Sequence, residues 1–131
     1  MGLFDKMFKS ERDIAKEEIN KVPWNDLNDL EILDRIVEES RTQPVAILKH
    51  STTCGISRMV LRQFEKDYDL KDENVKLYFL DLLRYREISN RIASRFNVPH
   101  QSPQLLIIKN GTAVYDASHN EISVEGLSKA V

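Results

Sequence analysis

The sequence has one cysteine among its 131 residues, and this scarcity limits the redox chemistry open to the chain. One cysteine cannot form an internal disulfide or a multi-cysteine zinc site, so a reducing compartment is expected and a cytoplasmic location is the default. Lysine and arginine number 19 against 21 aspartates and glutamates, which leaves a net charge of -2. Neither nucleic acid nor an anionic membrane is therefore an expected partner.

The chain also lacks a long apolar run. Its opening segment, Met1 to Ser10, mixes apolar side chains with charges and has no small-residue cleavage site. This excludes a transmembrane span and argues against a secretory signal. We interpret residues 1–22 as a charged, weakly amphipathic N-terminal appendage, a frayed or surface-docked helix, with membrane-surface contact as the alternative. Residues 23–131 then form one domain, because a chain of this length builds one core.

Alternating strands and helices are predicted along this domain. Asn28 begins the first helix, with Glu31 completing a capping box and Leu27 packing on Ile32. Cys54 and Ser123 begin later helices, and Asn97 can end the helix between them. The predicted strands are Trp24 to Leu27, Val45 to Leu48, Val75 to Leu80, Gln104 to Lys109 and Thr112 to Asp116, the last two joined by the Asn110-Gly111 turn.

This order predicts an α/β fold with a mixed central sheet, helices on both faces, and a C-terminal β-hairpin followed by a helix. The right-handed crossover rule leaves few topologies for such a chain, and the thioredoxin-like fold is one of them.

Cys54 lies after a buried strand and a loop of hydroxyl residues, at the predicted start of a helix. Free backbone N–H groups and the helix dipole stabilise a thiolate there, so we predict a nucleophilic thiol. Gly55 leaves the sulfur uncrowded, and Ser57 stands where a dithiol oxidoreductase has its second cysteine, so the chemistry would be monothiol exchange. The alternatives are a buried, inert Cys54 and an ordinary first-turn Ser57.

Pro103 directly precedes the strand Gln104 to Lys109, and the residues around it resemble the segment of thioredoxins in which a cis-proline lies against the active cysteine. We therefore expect a cis bond, although trans is the usual form. The three histidines are too scattered for a metal pair, and no metal site is predicted. His50 and His100 are either surface residues or neighbours of the thiolate that favour it when protonated.

Several motifs together resemble the monothiol bacilliredoxin-like proteins of the bacillithiol system (YtxJ type), within the thioredoxin superfamily. The resemblance spans about Trp24 to Val131 and is carried by Lys49-His50-Ser51-Thr52-Thr53-Cys54-Gly55-Ile56-Ser57, Tyr85-Arg86 with Ser89, His100-Gln101-Ser102-Pro103-Gln104, and Ala117-Ser118-His119. The family commonly has proline where this chain has Gly55.

The resemblance implies an enzyme that reduces mixed disulfides between bacillithiol and protein cysteines, with Cys54 as the attacking thiol. Bacillithiol would be a co-substrate rather than a bound cofactor, and bacillithiolated proteins would be the clients. The two carboxylates of bacillithiol need a cationic contact on the protein. The candidates are Lys49, His50, Arg58 and Arg84. By resemblance, Ser102 and Pro103 join the substrate-binding residues, and Thr53 joins Gly55, Ser57 and His50 around the thiolate.

Two alternatives stay open at this point. In the first, the domain is a thiol sensor or adaptor in which modification of Cys54 changes binding to a partner. In the second, the domain carries out the exchange reaction with a low-molecular-weight thiol other than bacillithiol.

Overall fold

The computed structural model describes residues 22–71 and 73–131, which form five strands, four α-helices and one short 3-10 helix. All of the predicted appendage except Val22 lies outside these residues. In chain order the elements are β1 (Trp24–Asp26), α1 (Leu30–Glu39), β2 (Val45–His50), α2 (Gly55–Asp67), β3 (Lys76–Asp81), α3 (Arg86–Phe96), β4 (Gln104–Lys109), β5 (Thr112–Ser118), the 3-10 helix (His119–Glu121) and α4 (Val124–Ala130).

The strands form one mixed sheet in the order β1-β3-β2-β4-β5. β3 pairs in parallel with both β1 and β2, since helices connect these strands, whereas β4 runs antiparallel to β2 and β5. β2 is therefore central, and all six of its residues are buried. The predicted α/β architecture with a C-terminal hairpin is confirmed.

Helices cover both faces of the sheet and bury two apolar clusters. One cluster joins Ala46 and Leu48 of β2 to Phe64 of α2 and Leu127 of α4. The other joins Val45 and Ile47, which point to the opposite face, to apolar residues of α1 and α3. Val22 is also buried in the first cluster, so the packed domain begins one residue before the predicted boundary at 23.

The helix ends follow the sequence signals with one correction. Asn97 ends α3 in the left-handed conformation at φ 55°, and the Ser123 hydroxyl accepts a hydrogen bond from Gly126 N at the start of α4. The predicted cap at Asn28 is wrong by one residue, because the Asp29 carboxylate accepts a bond from Glu31 N at 2.9 Å. This places Asp29 at the N-cap, so Glu31 does not complete a capping box.

The Asn110-Gly111 turn joins β4 to β5 with positive φ at both residues, as the prediction requires. The peptide bond between Ser102 and Pro103 is cis, which confirms the expectation from the thioredoxin-like segment. No helix in the described part of the chain is long and apolar enough to cross a membrane.

Candidate active site

Cys54 is the N-cap residue of α2, directly after the loop that follows β2. Its backbone N–H donates to Ser51 O at 3.2 Å, and its carbonyl accepts the first helical bond from Arg58 N at 3.1 Å. The thiol is free and partly exposed. The predicted strand-to-helix placement of Cys54 is therefore confirmed.

The pKa of the Cys54 thiol lies below its ordinary value, chiefly because the backbone N–H of Ser57, in the first turn of α2, stabilises the anionic sulfur. The Ser57 hydroxyl, the Ile56 N–H and the positive charge of Arg58 lower the pKa further, against a smaller opposing effect of burial. These groups all belong to the first turn of α2, where backbone N–H groups lack helical partners. The turn therefore favours the thiolate, which is the nucleophilic form.

Ser57 is fully buried, and its hydroxyl has no partner with ordinary hydrogen-bond geometry among the described residues. Ser57 follows Cys54 by three residues in the first turn of α2, and its hydroxyl favours the thiolate and so lowers the pKa of Cys54. A buried hydroxyl without another partner is available to a sulfur that becomes negative. This arrangement favours the predicted role of Ser57 beside the thiolate over that of an ordinary first-turn residue.

The residues on either side of Cys54 leave the sulfur open to solvent. A Cβ added to Gly55 would meet no atom within 4 Å, so side chains larger than glycine fit at this position. Thr53 is exposed, and its hydroxyl lies 3.3 Å from that of Ser51. Thr53 thus belongs to the loop that presents the thiol and contacts Ser51 within it.

His50 is buried, so the expectation of a surface histidine is wrong at this position. Phe79 packs against its ring at 5.2 Å between centroids, and the Ser57 backbone lies within interaction distance. Burial lowers the pKa of His50, an effect that the carboxylate of Asp81 opposes. A neutral imidazole is therefore favoured near pH 7, and His50 does not supply the cation expected to favour the thiolate.

Lys49 is fully buried, which corrects its expected role as a cationic contact at the surface. Its Nζ lies 3.3 Å from both Ser89 O and His100 Nδ1. Burial lowers the pKa of Lys49 to about 8. The pKa of His100 is also lowered, by burial first and then by the charges of Lys49 and Arg86. His100 is exposed overall, in agreement with the surface alternative, and its Nδ1 lies against Lys49, where an acceptor nitrogen suits the amine.

The cis Ser102-Pro103 bond directly precedes β4, whose first residue, Gln104, lies opposite Lys49 of β2. The chain before Gln104 thus lies beside His50 and the loop that leads to Cys54. Pro103 is buried and Ser102 is half-buried. The topology brings the predicted substrate-binding pair to the same end of the sheet as the thiol.

Arg58 and Arg84 keep the surface positions that a contact with a soluble anion requires. Arg58 follows Cys54 in the first turn of α2, whereas the Arg84 guanidinium lies over the Tyr85 ring at 5.5 Å. Of the four predicted cationic contacts, Arg58 is the exposed one that acts on the pKa of Cys54.

Sequence reasoning assigned no role to the Ser89 backbone or the Gln104 side chain. Gln104 is buried, and its Nε2 donates to Pro99 O at 3.0 Å. The available signal was a polar residue on an otherwise apolar surface, since Ser89 lies beside Ile88 and Ile92 in α3, and Gln104 begins an apolar strand.

The chain is similar in fold to several solved structures. A solved structure of a candidate oxidoreductase with a thioredoxin fold is 34% identical in sequence, with a TM-score of 0.69 over 80% of this chain and 90% of that chain. The thioredoxin of Fasciola hepatica is 19% identical (TM-score 0.61, 80% and 96% covered), and mitochondrial thioredoxin 3 of Saccharomyces cerevisiae is 17% identical (TM-score 0.63, 87% and 99% covered). The two thioredoxins show the fold.

A family model described as monothiol bacilliredoxin BrxC matches residues 25–127, which include the whole site around Cys54. A thiol at the N-cap of α2, with Ser57 in place of a second cysteine, agrees with a monothiol oxidoreductase. The chain is a thiol-disulfide oxidoreductase and belongs to the monothiol bacilliredoxin family.

Proposed function

We propose that the protein removes bacillithiol from protein cysteines by monothiol exchange, in the cytoplasm, with bacillithiol as co-substrate. The observation that carries the proposal is the placement of Cys54 at the N-cap of α2, where the Ser57 N–H and hydroxyl of the first turn lower its pKa. The family match supports bacillithiol as the small thiol.

In the first step the Cys54 thiolate attacks the bacillithiol sulfur of the mixed disulfide. A disulfide forms between Cys54 and bacillithiol, the original disulfide breaks, and the client cysteine leaves as a thiolate that takes a proton from water. The client is reduced and Cys54 is oxidised. Ser57 cannot displace the small thiol as a second cysteine would, so the mixed disulfide on Cys54 persists.

In the second step a bacillithiol thiolate attacks the bacillithiol sulfur held on Cys54. This releases oxidised bacillithiol and restores the Cys54 thiolate. The exposed guanidinium of Arg58 is the cation in the first turn of α2 that would contact a bacillithiol carboxylate. The proposed clients are proteins whose cysteines carry bacillithiol.

Intact-mass spectrometry of the reduced protein mixed with a bacillithiolated client tests this function. We expect the mass of bacillithiol to move from the client to Cys54, and Cys54→Ala to acquire none. A glutathionylated client serves as the matched control for the small thiol. Transfer from the glutathionylated client alone would assign a different thiol, and transfer from neither client would exclude exchange.

A further inference from the structure

Lys49 has an unusual environment for a lysine. Its side chain is fully buried near the end of β2, yet neither of the two hydrogen-bond contacts it makes among the described residues, with Ser89 O and His100 Nδ1, is a carboxylate. Lysine is rarely buried without an ionic partner, because removing an ammonium from water is costly. The lowered pKa of Lys49, about 8, reflects that cost. A residue kept at a cost to stability suggests a functional role.

The contacts of Lys49 lead to the loop that carries the cis-proline. Lys49 and Gln104 are directly opposite each other in the antiparallel pair β2–β4, so their side chains lie on the same face of the sheet. Gln104 Nε2 donates to Pro99 O at 3.0 Å, while Lys49 Nζ meets His100 Nδ1 at 3.3 Å. Two neighbouring buried side chains thus hold the start of the segment 99–103.

The other end of this segment is held from the 3-10 helix that follows β5. His119 N donates to Pro103 O at 3.0 Å, immediately before β4 begins. Ser102 lies between the two attachments, and the β2–β4 register, with Gln104 opposite Lys49, directs it toward the end of β2 that leads to the Cys54 loop. The contacts of Lys49 therefore fix the backbone that faces an incoming disulfide.

We propose that Lys49 is a positioning residue for the exchange reaction: together with Gln104 it holds His100 and the segment 99–103 so that Ser102 and Pro103 receive the substrate beside Cys54. The inference rests on the proposed function in taking Cys54 as the attacking thiol. Lys49 acts through the loop and leaves the reactivity of the sulfur itself unchanged.

The test compares wild type, Lys49→Met, His100→Ala and the double variant, with the exposed Lys129→Met as the control for loss of a positive charge. The second-order rate of transfer from a bacillithiolated client is measured for each. We expect a decrease of about tenfold in either single variant, because a small misplacement of substrate has effects of this size. The double variant should be no slower than the slower single variant, since both changes break one contact.

Two further readouts separate positioning from folding. Alkylation of Cys54 by iodoacetamide, which needs no substrate-binding loop, should keep its rate within about twofold in Lys49→Met. The melting temperature should stay the same or rise, because the change removes a buried charge. Transfer at the wild-type rate, or losses of transfer, alkylation and melting temperature in proportion, would overturn the proposal.

Amide hydrogen exchange gives a readout that does not depend on the identity of the small thiol. The Gln101 and Ser102 amides should exchange faster in Lys49→Met than in wild type or Lys129→Met, because the loop has lost an attachment. Unchanged exchange there contradicts the proposal even if the client reaction fails. If wild type transfers nothing while the loop amides respond as expected, the proposed function fails and the positioning of the loop stands.

Discussion

Lys49 and His50 are adjacent in β2, but their side chains lie on opposite faces of the sheet and have different surroundings. His50 lies near the first turn of α2, against Phe79 and the Ser57 backbone. Lys49 contacts Ser89 of α3 and His100 of the cis-proline loop. Activation of the thiol and presentation of the substrate therefore depend on separate groups, which meet only at the end of β2.

The two sides also differ in the origin of their electrostatics. The pKa of Cys54 is lowered mainly by the polar N–H and hydroxyl groups of one helical turn, a local effect. The pKa values of Lys49 and His100 are lowered mainly by burial, which depends on packing between the sheet and α3. Substitutions on the α2 side should therefore change the reactivity of the sulfur, and those on the α3 side should change transfer and stability.

The largest expected effect comes from Cys54→Ala, which removes the nucleophile. Transfer of bacillithiol to the protein should be abolished, whereas the fold should persist because Cys54 is partly exposed and its side chain makes no capping hydrogen bond to α2. Intact-mass spectrometry and circular dichroism check the two parts. Transfer of bacillithiol to the alanine variant would show that Cys54 is not the nucleophile, and neither side of the sheet would then explain the chemistry.

The next effect is a pH dependence of stability on the α3 side. The pKa of Lys49 in the folded protein, about 8, lies below the ordinary value of 10.5. Between these two pH values the unfolded chain therefore binds more protons than the folded protein. Stability from this group is thus gained as pH rises from 8 toward 10.5, and the buried ammonium lowers stability throughout the range below 8. The upper limit of this contribution of Lys49 to the free energy of unfolding is roughly 3 kcal/mol.

Lys49→Met should lack this component. Relative to that of wild type, its free energy of unfolding should be largest near pH 7, and the difference should shrink near pH 10. Urea denaturation at the two pH values measures the difference, with Lys129→Met as the exposed control. A relative stability that does not change with pH would contradict the account of Lys49.

Ser57→Ala tests the contribution of the Ser57 hydroxyl to the lowered pKa of Cys54 on the α2 side. The pKa of Cys54 should rise toward its ordinary value without reaching it, because the Ser57 N–H, the larger influence, is kept. Alkylation near neutral pH should slow several-fold as the thiolate fraction falls. Stability should change little, because the buried hydroxyl has no partner of ordinary geometry to lose within the described residues. Ser94→Ala, an exposed serine of α3, is the matched control.

The smallest expected effect is that of Arg58→Gln on thiol reactivity. The Arg58 charge is the weakest of the influences that lower the pKa of Cys54, and it is exposed to screening by salt. Alkylation by neutral iodoacetamide should slow by less than about twofold, and added salt should reduce the difference. Arg62→Gln, one turn further along α2, is the control. An effect larger than that of Ser57→Ala would reverse the assigned order.

The sequence was sufficient to predict the fold and the position of the nucleophile. Periodicity and turn residues are local signals, so they placed β4, the Asn110-Gly111 turn and the N-cap role of Cys54 correctly. The cap at Asn28 was wrong because Asn28 and Asp29 are adjacent capping residues, and the chain geometry selects one of them.

The positions of Lys49 and His50 could not be predicted in the same way. A lysine and a histidine at the end of an apolar strand normally mark its exit to solvent. Here β2 is central, and residues distant in sequence, Ser89 and His100, supply the contacts that bury Lys49. Such burial depends on packing between elements, which strand alternation does not reveal.

The central claim is that the first turn of α2 activates Cys54, and the most direct test is the pH dependence of its alkylation by iodoacetamide in the wild-type protein. We expect a midpoint below the value of about 8.5 for a free cysteine, moved upward in Ser57→Ala and unmoved in Ser94→Ala. A wild-type midpoint at or above that value would contradict the account and leave Cys54 an ordinary thiol.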